Sequence, residues 1–502
     1  MTNARIADYR LQRIDASQLT LPNPWGIPVR LFAGDGVPIE RAAVSELLAL
    51  LELQETIAAL RRAAPDLFDH PDPGIAAVAL SSDFHKGSGI PIGTTLRTRG
   101  VLVPQAVGTD VNCGMRVHLT GWRLEQVQPA MTALERRLRH LFFQGGRRIG
   151  LTASQREALL RLGVPGLLES DALRDAAWEA AADELAHISG GGGYPTALPD
   201  QHRDYVGGSG GVSYDSQLGS IGGGNHFVEL QVVAKLHDRA TAHAWGLREG
   251  QLAVMVHTGS LGFGHAAWAA SKAALGALLP AGFPLPNNGI LPLPLGERAA
   301  PALAVVRAAQ RVAANFAFGN RFYLARMMLQ ALAEVAGAQE SRLLWDSPHN
   351  LLWEEAGAEV VHRKGSTPAR GAAAMANTPF PWGEPVIVPG SMGAPSFILR
   401  GLGKPEALES ACHGAGRALA RGSAARGHDA ELDAFLERFR VVTPVEPQQI
   451  RERPDIRASW RAALKEEAPF AYKEIGPVIA TLREAEVAEP VVELHPVLPV
   501  KG

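Results

Sequence analysis

Only two cysteines, Cys113 and Cys412, occur in 502 residues. That excludes a disulfide-stapled framework and, with no charged start running into an apolar signal segment, points to a reducing, cytoplasmic setting. Long apolar runs are equally scarce. Stretches such as AVMVHTGS and VIVPGSMG stop well short of the roughly 18 apolar residues a bilayer-spanning helix needs, so no membrane association is expected. Charge of one sign is also lacking: 49 basic against 51 acidic side chains leave a net charge of -2. Bulk attraction to nucleic acid is thereby excluded, and any contact with a polyanion has to be local. The densest basic stretch, LERRLRH continuing to QGGRR over 134–148, reads as a solvated helix face. No internal repeat or long low-complexity tract is present.

What remains is the composition of a globular chain with a large core, 46% hydrophobic and 20% charged. Apolar residues recur at helical spacing in ERAAVSELLALLELQETIAALRRAA, in 124–205, and in 301–335, where one long helix or two abutting ones are expected. The 124–205 stretch closes in SGGGGY, is followed by GGSGGVS, and reads as a helical, Gly-rich insertion or lid. MRVHL, FVELQVV, LAVMVHTG, SRLLWD, EVVHRK and PVIVPG are short, aliphatic and bounded by turn residues, and predict strands. Strands and helices interleave without regular alternation. The expected fold is therefore α+β, a single large domain over 1–502 around a mixed central sheet system.

The chemistry-bearing residues cluster at the junctions between apolar runs and loops of Gly, Ser or Asn. His226 lies in SIGGGNHFVEL, His257 in VMVHTGSLGFGH, His349 in LLWDSPHNLLW and His413 in ACHGAGR, while Asp110 and Cys113 share GTDVNCGMRV. Strand ends are where a rigid scaffold displays a side chain. Imidazoles with one carboxylate and one thiol suit a first-row divalent metal, and a lone thiolate can bridge two ions. A lone histidine is ordinarily a structural residue and a lone cysteine a small buried hydrophobe; neither C-x-x-C nor H-E-x-x-H is present. The loops GGGNH, HTGSLGFG, PGSMGAPS and HGAGR can wrap phosphate with backbone amides, although none matches the P-loop or the dinucleotide fingerprint. His413, beside glycines and Arg417, can attack phosphorus while the cation offsets phosphate charge.

The ordered set SDFHKGSGIPIGT, GTDVNCGMRV, GGGNHFVELQ, VMVHTGSLGFGH, ANFAFGNR, VHRKGST, PVIVPGSMG, CHGAGR, EEAPFAYK and VKG resembles the RtcB family of RNA-splicing ligases, from about residue 75 to the last residue. The resemblance implies a family-specific α+β domain. It also implies joining of an RNA 3'-phosphate or 2',3'-cyclic phosphate to a 5'-hydroxyl with GTP and two Mn²⁺ ions, and an archease-type activator as a partner. On the matching positions Cys113 bridges the two ions, Asp110 and His226 complete one shell, and His257 and His349 the other. By the same resemblance His413 is expected to be the nucleophile that takes GMP. Asn225, Phe227, Glu229, Asn350, Pro389, Gly390, Ser391, Met392, Ser396, Gly414, Ala415, Gly416, Arg417 and Lys473 match positions that hold the guanylate.

Two departures stand out. HTGSLG has Leu261 where the family's motif carries Arg, and GGSGGVSYDSQ precedes GGGNH where a basic segment is usual. Both remove cations from places that meet RNA phosphate. They point to a divergent paralogue, in RNA repair or tRNA splicing, with Arg363, Lys364 or the 136–148 stretch as replacement contacts. The alternatives are a guanylyltransferase that caps 3'-phosphate ends or another acceptor without ligating, and a protein that only binds RNA ends. Cys412 reads as a packing residue.

Overall fold

Five consecutive apolar residues of one strand, Leu252 to Val256, are fully buried, and they show how the molecule is layered. Their side chains alternate. Leu252, Val254 and Val256 pack toward the long helix Ala300–Ala336, whereas Ala253 and Met255 pack with Trp245 and Phe380 on the opposite face. Covering both faces of the sheet is why this strand reads as a continuous apolar run and not as an alternating one.

The computed structural model describes residues 10–170, 181–207 and 211–502. Positions 171–180, within the expected insertion, and 208–210, within GGSGGVS, lie outside the described residues. The α+β expectation holds. Among the described residues two seven-stranded sheets dominate. The first runs in the order Gln12–Arg13, Gln18–Thr20, Val29–Phe32, Gly74–His85, Ile92–Arg99, Glu359–Lys364, Asn350–Glu354. The second runs Ser341–Pro348, Gly114–Arg123, Gln251–Thr258, Phe227–Leu236, Ala488–Val500, Ser396–Gly401, Pro385–Val388. Pairing in these sheets is antiparallel except between Val29–Phe32 and Gly74–His85.

Each expected strand is present. The strand Ala488–Val500 goes beyond what the sequence pattern predicts. It contains Pro490, Pro496 and Pro499, and proline ordinarily argues against a central strand. Here the register shifts on both of its neighbours, near Leu230/Gln231 and Ile398/Leu399, absorb the missing N–H groups. The expected helix at 40–64 is two abutting helices, Arg41–Leu51 and Leu53–Ala63, that meet at Glu52.

The segment 301–335 lies in one helix of 37 residues, buried all round through its middle. Its polar residues are there to hold other segments. Asn315 accepts from the Tyr194 N–H at 2.7 Å, and Asn320 accepts from Gly219 N–H at 2.8 Å. Gly319 lets the Leu159 side chain pack close, since a Cβ there would come within 2.7 Å of its terminal methyl. Helices Met131–Phe143, Ala153–Leu162 and Val164–Glu169 pack Leu134, Leu138, Leu159 and Leu167 into the same core. The described part of 124–205 is thus wedged against the long helix. Three of its basic residues are tied down: Arg137 pairs with Glu334, Arg139 with Glu446 at 2.6 Å, and Arg147 donates to Ser216 O at 2.8 Å. No helix among the described residues is long and apolar enough to cross a membrane.

Candidate active site

The ends of adjacent strands in the second sheet converge on one point. Phe227 pairs with His257, His257 with Met115, and Met115 with Ser347, which places His226, His257, Cys113 and His349 side by side. The loop carrying Asp110 and Cys113 turns at Asn112, a non-glycine residue with φ +55°. Such a backbone persists only where its surroundings over-determine it. Arg321 of the long helix supplies that restraint, donating to Asn112 O at 2.6 Å, Thr258 O at 3.1 Å and Asp346 at 2.9 Å. His349 N–H donates to Cys113 O at 2.8 Å and locks the loop from the other side.

Cys113 Sγ lies 3.3 Å from both His226 Nε2 and His257 Nε2. His257 Nε2 is 3.3 Å from His349 Nε2, and His226 Nε2 is 2.8 Å from Asp110 Oδ2. Two three-residue sets that could each hold a metal ion result, Asp110–Cys113–His226 and Cys113–His257–His349, sharing the one sulfur. The hydrogen bonds behind these rings fit this use. His226 Nδ1–H donates to Ile221 O and His257 Nδ1–H to Asn225 O, both at 3.1 Å, so each Nε2 lone pair faces the sulfur. Burial pushes His257 and His349 well below the ordinary histidine range, which keeps them neutral, the form in which an imidazole can bind a metal. Burial acts to raise the Asp110 carboxyl, but His226, with help from Cys113 and His257, lowers it to about 2. Burial and the Asp110 charge push the Cys113 thiol up, so a cation arriving here displaces a proton.

His413 follows the strand Ser410–Cys412, and its ring centroid is 4.7 Å from that of His349. Its Nδ1–H donates to Asp83 Oδ2 at 2.5 Å, and its backbone N–H reaches the same oxygen at 3.3 Å. Ser81 Oγ donates to the other Asp83 oxygen at 2.5 Å. Burial, the largest single influence, acts to raise the Asp83 carboxyl, but the attraction of His413 and the hydrogen bonds from His413 and Ser81 together lower it. The result is an imidazole whose tautomer is fixed with Nε2 free. Gly416, at φ +77°, allows the HGAGR loop to approach closely, since a Cβ there would collide with Asp83 O. Cys412 is fully buried in the core beside Ala411 and Val388.

A cavity of about 230 Å³ opens over these groups. Asn225, Phe227, Glu229, Asn350, Pro389 to Met392 and Gly414 to Arg417 line it, as do Asp110, Cys113, His257, His349 and His413. His226 stands behind it as a neighbour of Cys113. Ser396 and Lys473 do not line it. Ser396 Oγ accepts from Gly390 N–H at 3.1 Å and so braces the 389–392 loop. Lys473 Nζ is buried and donates to Phe84 O at 2.6 Å. None of the described residues of 124–205 reaches the cavity.

Several residues of the site escape sequence reasoning. Asp83, behind His413, and His85, which lines the cavity, lie in the quoted SDFHKGSG motif, whose pattern alone assigns them no role. Lys501, in the terminal VKG, lines the cavity and donates to Gly224 O at 2.6 Å and His226 O at 2.8 Å. Burial drives Glu229, across from Lys501, up to about 7. Arg417, Tyr472 and Glu467 form a linked group, with the guanidinium 3.2 Å from the Tyr472 hydroxyl and 5.0 Å from its ring centroid.

Fold and site together define an α+β protein in which a thiol-centred, metal-type donor cluster adjoins a carboxylate-oriented histidine inside one cavity. Comparison with known proteins supplies the family: the profile described as tRNA-splicing ligase RtcB matches residues 72–502, and the chain belongs to this family of RNA ligases. It is 32% identical to the tRNA-splicing ligase RtcB of Thermococcus kodakarensis, over 86% of this chain and 89% of that protein. It is 31% identical to that of Archaeoglobus fulgidus, over 95% and 97% of the two chains. The RNA-splicing ligase RtcB of Mycobacterium tuberculosis is 31% identical, over 86% and 98%.

Proposed function

We propose that this protein joins an RNA 3'-phosphate or 2',3'-cyclic phosphate end to a 5'-hydroxyl end, using GTP and Mn²⁺ through a guanylylated His413. The observation that carries this reading is the 2.5 Å hydrogen bond from His413 Nδ1 to buried Asp83, with the Cys113-centred donor cluster one ring contact away.

His413 Nε2 attacks the α-phosphorus of GTP, a P–N bond forms, and pyrophosphate leaves with the electrons of the broken P–O bond. The ring becomes cationic as it is phosphorylated, and the Asp83 carboxylate offsets that charge through Nδ1–H. The RNA 3'-phosphate then takes GMP from the histidine, and a 5'-hydroxyl attacks the activated phosphate and releases GMP. A cyclic phosphate is first opened by water. Asp110, Cys113 and His226 would hold one ion and Cys113, His257 and His349 the other, where metal supplies charge neutralisation for the triphosphate. Glu229 suits guanine, whose N1–H and N2–H₂ are both donors, and the third Lys501 N–H can meet O6. Asn350 braces the metal loop, donating to Asp110 O at 3.1 Å and accepting from Gly365 N–H at 2.7 Å.

Leu261 favours a second reading, in which guanylyl transfer persists without joining. It is part-buried against the main core and begins the helix Gly262–Leu278 with φ +50°. No cation is presented at that position. Arg363 is no substitute cation, since it is buried and donates to Ser410 Oγ at 2.8 Å.

The test is to incubate the protein with α-labelled GTP and Mn²⁺, denature it, and follow label on the chain, with His413→Ala as control. Label lost in the variant supports the nucleophile; no label on the metal-loaded wild type sinks both readings.

A further inference from the structure

A second, wider cavity of about 1080 Å³ runs beside the first, and Asp110, His85, Asn350, Arg417 and Arg421 line both. One wall is the helix that starts at Leu261. Trp268, Lys272 and Leu275 line the cavity at i, i+4 and i+7, a single helix face. Trp268 is half-buried and, among the described residues, has no ring contact, cation–π contact or hydrogen-bond partner. Facing the same space is Leu285, which leaves 66% of its surface exposed. The exposed cations Lys86, Lys272 and Arg421 also line it. An open indole, an exposed leucine and unshielded cations in one trough match a chain of anionic phosphates bearing flat bases.

We propose that this cavity seats a single-stranded RNA end, with Trp268 stacking on an unpaired base and Lys272 contacting a neighbouring phosphate. The proposal rests on the RNA-joining reading above and names how the end is held. A paired base already has both faces covered by its own stack, so an open indole selects unpaired nucleotides. Lys272 stands about 6 Å further along the helix axis than Trp268, within the reach of one nucleotide. Where Leu261 offers no charge at the helix start, two turns further on the same helix offers stacking. Recognition thereby moves from a cation to a ring, and stacking is far less sensitive to salt than a phosphate contact.

The experiment uses the full chain and a fluorescent 3'-phosphorylated single-stranded RNA of about ten nucleotides, within the usual site size of such grooves, with anisotropy read in the absence of GTP. Trp268→Ala is expected to weaken binding about tenfold and Trp268→Phe to retain it. Lys272→Ala is expected to lower the slope of log affinity against log salt by about 0.7. Binding by Trp268→Ala within twofold of wild type overturns the proposal. So does a blunt duplex that competes as well as the single strand. If Trp268→Ala fails to fold, a 4-thiouridine placed near the 3' end of the same RNA is cross-linked to the wild-type protein. A cross-link within 262–278 supports the platform, and cross-links confined to other segments overturn it. Because binding is read without GTP, absent His413 label removes the joining reading alone, while intact label with unchanged Trp268→Ala binding removes the platform alone.

Discussion

Asp83 and His413 are 330 residues apart in sequence and 2.5 Å apart in space, the carboxylate of one strand end accepting the Nδ1 proton of the imidazole at another. Asp83→Asn preserves size but removes the charge that offsets a phosphorylated ring. Guanylylation of His413 is expected to slow by about a hundredfold or more, in the range found for lost proton-handling partners. Single-turnover labelling with α-labelled GTP checks this, and unchanged labelling would assign Asp83 a packing role.

The shared sulfur predicts unequal effects of the metal-site variants. Cys113→Ala is expected to deplete both sites, because both three-residue sets contain its Sγ. His226→Ala is expected to remove one ion and leave the Cys113–His257–His349 site occupied. Metal content after gel filtration distinguishes the two patterns.

Glu229, raised to about 7 by burial from its usual 4.5, predicts a pH dependence for guanine nucleotide binding. Only the ionised carboxylate can accept from both guanine donors, so affinity is expected to rise between about pH 6 and 8. Glu229→Gln flattens the profile. The sign for stability is opposite: the empty protein favours the protonated form, so its contribution is present below 4.5 and lost as the pH passes about 7. A pH series of GTP dissociation constants and melting temperatures tests both.

Arg321 is fully buried and joins the long helix to Asp346, Asn112 and Thr258. Arg321→Met leaves Asp346 with Arg116 as its remaining buried partner, at 3.2 Å. A loss of about 3–5 kcal/mol is expected, the usual cost of breaking a buried ion pair from one side, with weakened metal uptake because the Asn112 turn loses its restraint. Urea denaturation with and without metal measures both effects.

Leu261→Arg should leave labelling of His413 within twofold, since position 261 does not line the nucleotide cavity. Joining that increases in this variant, with a steeper salt dependence, supports the reading in which wild type transfers guanylate but ligates poorly. Lost apolar burial should lower stability by about 1 kcal/mol.

Local patterning made much of the fold legible. Short apolar runs between turn residues marked the strands, and helical spacing marked 301–335, because those signals depend on neighbours in sequence. The strand Ala488–Val500 broke the pattern with three prolines, which pairing on both sides tolerates through register shifts. Lys473 and Lys501 show the corresponding limit at the site. Both lie in quoted motifs, and only the path of the chain distinguishes the lysine bound to Phe84 O from the one that lines the cavity.

By itself the sequence determined which residue types stand at strand ends, and the ordered motifs sufficed to show the family resemblance. Tertiary structure alone decided that Asp83 backs His413, that Arg321 pins the Cys113 loop, and that Trp268 opens on the same trough as Lys272. Those relations come from long-range packing and strand register, which bring together groups hundreds of residues apart. Periodicity reports what lies within a few residues, so such distances are invisible to it.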